Sequence, residues 1–147
     1  MNDKEFEELA GLLSVPKKIV IVPHRNPDGD AMGSTLGLCH FLLKMGHKAV
    51  VISPNEYPSF LGWMPGIEDV VVFENEKEKA SELLLDADLV FTLDFNALHR
   101  TGEMEVELSK VTTDFVMIDH HQLPDGYAKY MYSDTSYGST CEMVYEF

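Results

Sequence analysis

The 147-residue chain is poor in basic residues. Eleven lysines and arginines stand against 25 aspartates and glutamates, which gives a formal net charge of -14. This excess of negative charge argues against a surface that holds long duplex nucleic acid, because such binding depends on clustered basic side chains. A short nucleotide held at one site by metal ions is still compatible with the charge, since the ions invert its sign locally.

The chain also has little cysteine and lacks several catalytic motifs. Its two cysteines, Cys39 and Cys141, are far apart, and we interpret them as reduced packing thiols that lie away from the acidic clusters of a cytoplasmic protein. No signal peptide or membrane-spanning segment is predicted. Because Gly-x-Ser-x-Gly, Gly-x-x-x-x-Gly-Lys and Cys-x-x-Cys motifs are missing, covalent acyl chemistry and nucleoside-triphosphate motor activity have no support.

Short apolar segments rich in valine, isoleucine and phenylalanine alternate with helical patterns along the chain. Such segments are typical of strands buried in a parallel sheet, so the alternation predicts one α/β domain with a three-layer, doubly wound, mainly parallel sheet. The predicted strands cover residues 18–22, 48–52, 70–73, 89–93, 115–118 and 127–133. The predicted helices cover residues 6–13, 33–45, 76–85 and 103–110, with a last one opening at Gly138-Ser139-Thr140.

Acidic and histidine residues follow three of these strands. They are His24, Asp28 and Asp30 after the first strand, Asp94 after the fourth, and Asp119-His120-His121 after the fifth. The carboxyl ends of strands in an open α/β sheet are where ligands bind. Clustered carboxylates repel one another unless a cation neutralises them. Oxygen and imidazole ligands without thiolate suit Mn²⁺, Mg²⁺, Fe²⁺ or Zn²⁺.

The spacing of the acids favours a pair of metal ions. Asp28 and Asp30 flank Gly29, and alternate residues of an extended turn project to the same side, so each can take one ion. A two-metal centre usually needs a bridging carboxylate, and Asp94 is alone at its strand end. Taken alone, Pro-Asp-Gly-Asp is equally typical of a surface turn. The residues at the other strand ends favour the metal site.

Other polar residues are candidates for the substrate phosphate. In Asp119-His120-His121, one imidazole can bind metal or phosphate while the carboxylate fixes a ring tautomer. Ser34, at the predicted start of a helix, can contact a phosphate or act as an N-cap. Arg100 can bind phosphate or be an exposed helix-start residue. We interpret the remaining candidates as structural: His40, His47, His99 and the turn residue Asp134.

The order His24-x-x-x-Asp28-x-Asp30, Asp94, Asp119-His120-His121 resembles the DHH phosphoesterase superfamily from roughly residue 18 to the end of the chain. The segments HRNPDGDAMGS and DHHQLP and the Gly-Ser-Thr helix opening are most similar to the bacterial oligoribonuclease/pAp-phosphatase branch, kin to the RecJ exonucleases.

This resemblance implies roles for individual residues. It implies His24 and Asp28 on one metal ion, Asp30 and His120 on the other, Asp94 between them, Asp119 as a supporting group, and His121 with Arg100 at the phosphate. Among these, Asp94, Asp119, His120 and His121 would form the catalytic group. The resemblance implies two Mn²⁺ ions, with Mg²⁺ as the alternative. The expected activity is hydrolysis of phosphate esters of short oligonucleotides, or of nucleotides such as pAp, by two-metal activation of water.

Two other functions stay open at this point. One is an inorganic pyrophosphatase or polyphosphatase of the same superfamily, and the other is a non-catalytic nucleotide- or metal-binding module. Family members carry a further metal-binding aspartate after the helix that starts here at Ser139, and then a smaller substrate-binding domain. We therefore expect residues 1–147 to be a truncated N-terminal catalytic domain that is weakly active at most. The expected partner is a short oligonucleotide or nucleotide substrate, and no membrane partner is expected. A homodimer is a candidate assembly.

Overall fold

The computed structural model describes all 147 residues, Met1–Phe147, as a sheet of six parallel strands with helices on both faces. The strands are β1 (Lys18–Pro23), β2 (Lys48–Ser53), β3 (Val71–Val72), β4 (Leu89–Leu93), β5 (Phe115–Asp119) and β6 (Tyr130–Ser133). The helices are α1 (Asp3–Leu12), α2 (Gly29–Lys44), α3 (Lys77–Leu85), α4 (Glu105–Leu108) and α5 (Thr140–Glu146). No helix has the length and apolar character needed to cross a membrane. The predicted three-layer, doubly wound fold is confirmed, and every strand pair is parallel.

Successive residues of the central strands face two separate apolar cores. In β1, Ile19 and Ile21 pack in the core that includes residues of α1, α2 and α5, whereas Val20 and Val22 pack in the core with α3 and α4. Each fully buried aliphatic side chain of this kind contributes about 1.5–3 kcal/mol relative to an exposed one. Because apolar cores cover both faces of the sheet, polar side chains that could bind a ligand are expected at the ends of the strands.

The order of the strands defines a crevice beside β1. The order across the sheet is β3-β2-β1-β4-β5-β6, so the chain leaves β1 towards one edge and later returns to the other side of β1 at β4. Pro23 at the end of β1 is in register with Leu93 at the end of β4. Ligands of open α/β sheets bind where the strand order reverses in this way. His24 and Asp94 therefore leave adjacent strands at the same level.

Several element boundaries differ from the predicted ones. Helix α2 begins at Gly29 rather than Gly33, because Asp28 is its N-cap and accepts a hydrogen bond of 3.0 Å from the Ala31 N–H. The helix predicted over residues 103–110 is only the short α4, which follows a 3₁₀ segment with a left-handed Gly102 (φ 61°). Strand β6 begins at Tyr130 rather than at residue 127, and α5 begins at Thr140 with Ser139 as its N-cap.

Candidate metal centre

Asp94 lies at the centre of the predicted site. Its backbone is left-handed (φ 66°), a conformation that aspartate tolerates better than most residues, and its side chain is almost fully buried. The His24 Nε2 atom lies 3.4 Å from Asp94 Oδ2, and the His120 Nε2 atom lies 3.6 Å from Asp94 Oδ1. The carboxylate thus faces one imidazole with each of its oxygens.

We call His24, Asp28 and Asp94 Oδ2 the first metal position. The His24 Nδ1 atom lies 2.7 Å from the Arg25 carbonyl oxygen, which can only accept, so Nδ1 carries the ring hydrogen. The Nε2 atom lies 3.4 Å from Asp94 and 3.9 Å from Asp28 Oδ1. In the neutral ring it directs a lone pair at two carboxylates, which is unfavourable unless a cation lies among the three groups. Their ligand atoms are close enough together to hold one ion.

We call Asp30, His120 and Asp94 Oδ1 the second metal position. The His120 Nδ1 atom lies 3.3 Å from the Tyr137 carbonyl oxygen, so this ring also directs Nε2 at carboxylates. Nε2 lies 3.6 Å from Asp94 Oδ1 and 3.8 Å from Asp30 Oδ2. The two positions therefore share one design: a histidine oriented by a backbone carbonyl, its own aspartate, and one oxygen of Asp94.

The pKa shifts at both positions reflect the charged groups that surround them. When Nε2 of His24 is protonated it can donate a hydrogen bond to Asp94, and this raises the pKa of His24, outweighing the burial that lowers it. Burial raises the pKa of the Asp30 carboxyl, but hydrogen bonds from Cys141 and from the Thr140 N–H outweigh it, so the pKa lies below its ordinary value. Asp30 is accordingly ionised, as a metal ligand must be.

The first turn of α5 contacts the second position. The backbone N–H groups of Thr140 and Cys141 donate to Asp30 Oδ2 and Oδ1, each at 2.8 Å. The buried Thr140 hydroxyl donates to Asp94 Oδ1 at 2.9 Å. Our expectation that Cys141 lies away from the acidic clusters is wrong, because α5 packs its first turn on Asp30. The Gly-Ser-Thr opening was the only sequence signal for these contacts, and it is common at helix N-termini.

An asparagine pair holds the loop that carries the first position. Asn26 has a left-handed backbone (φ 54°), and its N–H donates to Asn55 Oδ1 at 2.7 Å. The Asn55 side-chain amide donates back to Asn26 Oδ1, also at 2.7 Å. Asn55 follows β2, so the pair ties two neighbouring strand ends together. Sequence reasoning missed it, although asparagine is among the few residues that adopt this backbone conformation readily.

The Asp119–His121 pair lies at the outer side of the site. The His121 Nδ1 atom lies 2.6 Å from Asp119 Oδ1, and the His121 N–H donates to Asp119 Oδ2 at 3.0 Å. Because a carboxylate only accepts, Nδ1 carries the hydrogen. Asp119 is fully buried, whereas the His121 side chain is 52% exposed. His121 also groups with Asp94 and His120 at metal-binding distance, so its ring can reach a ligand at the mouth of the site.

Two candidate phosphate residues are placed differently from the rest. Ser34 is buried in the second turn of α2 and donates its hydroxyl to the Ala31 carbonyl at 3.2 Å. The expectation that Ser34 opens this helix is wrong, because Asp28 is the N-cap. Ser34 therefore does not lie among the free N–H groups of the helix start, which were the basis for expecting it to contact a phosphate. Arg100 is exposed and lies in the 3₁₀ segment Leu98–Met104. Its carbonyl accepts a hydrogen bond of 2.8 Å from the N–H of Arg25, in the loop that follows β1.

The residues interpreted as structural lie outside the metal centre. His40 Nε2 contacts the Pro65 carbonyl at 2.8 Å, and His47 Nδ1 accepts the Lys17 N–H at 3.1 Å. His99 is exposed. Asp134 accepts hydrogen bonds from the N–H and hydroxyl of Ser136 at 2.9 and 2.6 Å, which is a turn contact.

Comparison with known proteins decides the family. Residues 18–147 match the family described as the DHH family, N-terminal domain. The chain belongs to this family. It is 31% identical over 134 residues to the bifunctional oligoribonuclease and PAP phosphatase NrnA of Thermus thermophilus, covering 90% of this chain and 37% of that protein. It is 26% identical over 144 residues to the probable NrnA of Streptococcus mutans, covering 97% and 42%.

Two solved structures are similar to this chain. An exopolyphosphatase-related protein from Bacteroides fragilis superposes with a TM-score of 0.95 at 39% identity, covering 99% of this chain and 43% of that one. RecJ from Thermus thermophilus in complex with Mn²⁺ gives a TM-score of 0.54 at 17% identity, covering 96% and 19%, a likeness that shows the fold alone. The DHH chain described here spans less than half the length of these relatives.

Proposed function

We propose that this DHH domain is a cytoplasmic metal-dependent phosphoesterase that hydrolyses phosphate esters of short oligonucleotides, or of nucleotides such as pAp, with two divalent ions. Mn²⁺ is the proposed ion and Mg²⁺ the alternative. The observation that carries the proposal is the position of Asp94, whose two oxygens lie 3.4 Å from His24 Nε2 and 3.6 Å from His120 Nε2. A shared carboxylate flanked by two such groups fits a pair of ions.

The side chains present fit divalent cations. Each position offers one imidazole nitrogen and carboxylate oxygens, a ligand set that suits Mn²⁺ and Mg²⁺ better than thiolate-seeking metals. His24 and Asp28 would hold one ion, Asp30 and His120 the other, and Asp94 both. Bound ions of this kind neutralise charge on phosphoryl oxygens and lower the pKa of water towards neutrality. The chain then needs no protein nucleophile.

His121 is the residue that we propose for the substrate phosphate. Its Nδ1–H is held by the buried Asp119, so Nε2 is directed away from that carboxylate. A protonated ring can donate from Nε2 to a phosphoryl oxygen and stabilise the charge that develops there. Asp119 fixes the ring orientation. Arg100 is proposed as a second residue that binds the substrate phosphate, since its carbonyl accepts a hydrogen bond from the Arg25 N–H in the loop after β1.

A second candidate function is hydrolysis of phosphoanhydrides in pyrophosphate or polyphosphate. The observation that favours it is the TM-score of 0.95 to the exopolyphosphatase-related protein. The identity to the NrnA proteins favours short nucleic acids and nucleotides instead. In both reactions water attacks phosphorus and a P–O bond to the leaving group breaks, so the same residues can serve either. A non-catalytic nucleotide- or metal-binding module is the third alternative. We also propose that the chain forms a homodimer, and its oligomeric state can be measured on the same preparations.

A substrate panel tests these functions. Initial rates are measured with Mn²⁺ on oligoribonucleotides of a few residues, pAp, pyrophosphate and polyphosphate, using this chain and, where the gene product is longer, that product. We expect metal-dependent turnover that is fastest on short oligonucleotides or pAp. Asp94→Asn, which keeps the shape of the side chain and removes its charge, is the matched control. Faster turnover of polyphosphate would favour the second function, and metal binding without turnover of any substrate would favour the binding module.

A further inference from the structure

The Thr140 side chain is fully buried, and its hydroxyl donates to Asp94 Oδ1 across 46 residues of sequence. We infer that Thr140 is a positioning residue that sets the affinity of the second metal position. The inference rests on the proposed two-metal function and goes further, because it predicts that the two ions depend on different parts of the fold.

The hydrogen bond acts on one oxygen of Asp94 only. Thr140 donates to Oδ1, the oxygen that lies 3.6 Å from His120, whereas Oδ2 lies 3.4 Å from His24. The terminal torsion of a carboxylate is broad, so a hydrogen bond is needed to fix its rotation. A carboxylate oxygen has two lone pairs, and one bond from Thr140 leaves the other free for an ion. The hydroxyl therefore aims Oδ1 at the second position.

The same turn of α5 fixes the second aspartate. The N–H groups of Thr140 and Cys141 hold both oxygens of Asp30 at 2.8 Å. Asp28 in the first position is held instead by the Ala31 N–H of its own helix. The aspartates that belong to one position only are thus held differently: Asp30 is held by residues at least 110 positions away in sequence, and Asp28 is held by a residue three positions later. Removing the hydrogen bond from Thr140 should consequently lower the affinity for the ion at the second position and leave the affinity at the first position unchanged.

The test is a calorimetric titration of Mn²⁺ into four forms of the chain. Thr140→Val keeps the side-chain shape and removes the hydroxyl, and Thr140→Ser keeps the hydroxyl. Thr101→Val is the matched control, since Thr101 is also buried and donates to the Leu98 carbonyl at 2.7 Å, away from the carboxylates. Groups that orient metal ligands are worth about 10–100-fold in affinity. We expect Thr140→Val to weaken one of the two binding steps by about tenfold or more and to leave the other step unchanged.

The conservative and control variants complete this expectation. Thr140→Ser should restore the wild-type titration, and Thr101→Val should leave both steps unchanged. Electron paramagnetic resonance supplies a second readout, because two Mn²⁺ ions on one carboxylate couple magnetically and an isolated ion does not. At a metal concentration that gives the wild type a coupled spectrum, Thr140→Val should give the isolated-ion spectrum. Thr140→Ala makes the same comparison if the valine variant does not fold.

The outcomes separate this inference from the proposed function. Two binding steps in the wild type with no change in Thr140→Val would overturn the inference and leave the function standing. Equal weakening of both steps, or the same loss in Thr101→Val, would show a general effect on folding and would also overturn it. A wild type that binds only one Mn²⁺ ion would have no second metal position, and this result would also overturn the inference. A wild type that binds no Mn²⁺ would contradict the proposed function itself.

Discussion

The two metal positions use the same ligand types but are built in different ways. The first position takes His24 and Asp28 from one loop, with Asp28 capping the helix that follows it. The second takes Asp30 and His120 from different elements and is held by the first turn of α5. Both positions need Asp94 at the end of β4, but only the second also requires α5 to pack against α2 and β5. Metal affinity at the second position therefore reports on the packing of α5.

The largest expected effect comes from the residue that both positions share. Asp94→Ala removes one ligand from each ion, and Asp94→Asn removes only the charge of the bridging group. We expect either change to lower phosphoester turnover by about 10³-fold and to abolish paired Mn²⁺ binding. Initial rates and metal content measure the two effects. Near-normal turnover in Asp94→Ala would rule out a two-metal site at this carboxylate.

A smaller effect is expected from His121, which lies outside the proposed ligand set. His121→Ala should retain both ions and lower turnover by about 10²-fold, because it removes a group that stabilises charge on the phosphate. His121→Gln serves as a control for side-chain volume. Metal titration and steady-state kinetics on the same preparations separate binding from rate. Loss of one ion in His121→Ala would instead make His121 a ligand, as its grouping with Asp94 and His120 allows.

Metal should also stabilise the fold, since the clustered carboxylates of Asp28, Asp30 and Asp94 repel one another without it. An ion present at about 100 times its dissociation constant adds about 2.7 kcal/mol. For a domain of this size, that corresponds to a rise of about 5–10 °C in the melting temperature. Thermal unfolding with Mn²⁺, and again with chelator, provides the measurement. The Asp94→Asn variant should show less of this rise, and an unchanged wild-type midpoint would count against the site.

The smallest expected effect is at Asp134, an acidic residue whose side chain makes only turn contacts. Asp134→Ala removes the exposed hydrogen bonds from Ser136 and should lower the stability only slightly. Mn²⁺ affinity should stay at the wild-type value. Chemical denaturation and calorimetry measure the two quantities. A weakened metal site in this variant would place Asp134 among the residues that hold an ion.

The fold and the first position could be predicted because their signals are local. Apolar strands alternating with helices indicated the layer architecture, and His24 and Asp28 lie four residues apart in a single loop. The start of α2 was predicted too late, because aspartate and glycine after proline favour turns and helix caps alike. The predicted helix at residues 103–110 was too long because residues 103 and 104 belong to the preceding 3₁₀ segment and the α-helix ends at Leu108.

The support of the second position could not be predicted in the same way. Asp30 and His120 were identified as candidates from their strand ends, but the contacts of Thr140 and Cys141 with Asp30 cross 110 residues or more. A Gly-Ser-Thr sequence indicates a helix start and says nothing about which carboxylate the helix will approach. That contact is decided by how α5 packs on α2, which is a property of the folded core.

The central claim is that Asp94 joins two metal positions of different construction. Anomalous diffraction at the manganese absorption edge, from crystals grown with Mn²⁺, tests it most directly. We expect two peaks about 3.5–4 Å apart on either side of the Asp94 carboxylate, one beside His24 and Asp28 and the other beside His120 and Asp30. A single peak, or two peaks that do not share Asp94, would contradict the account.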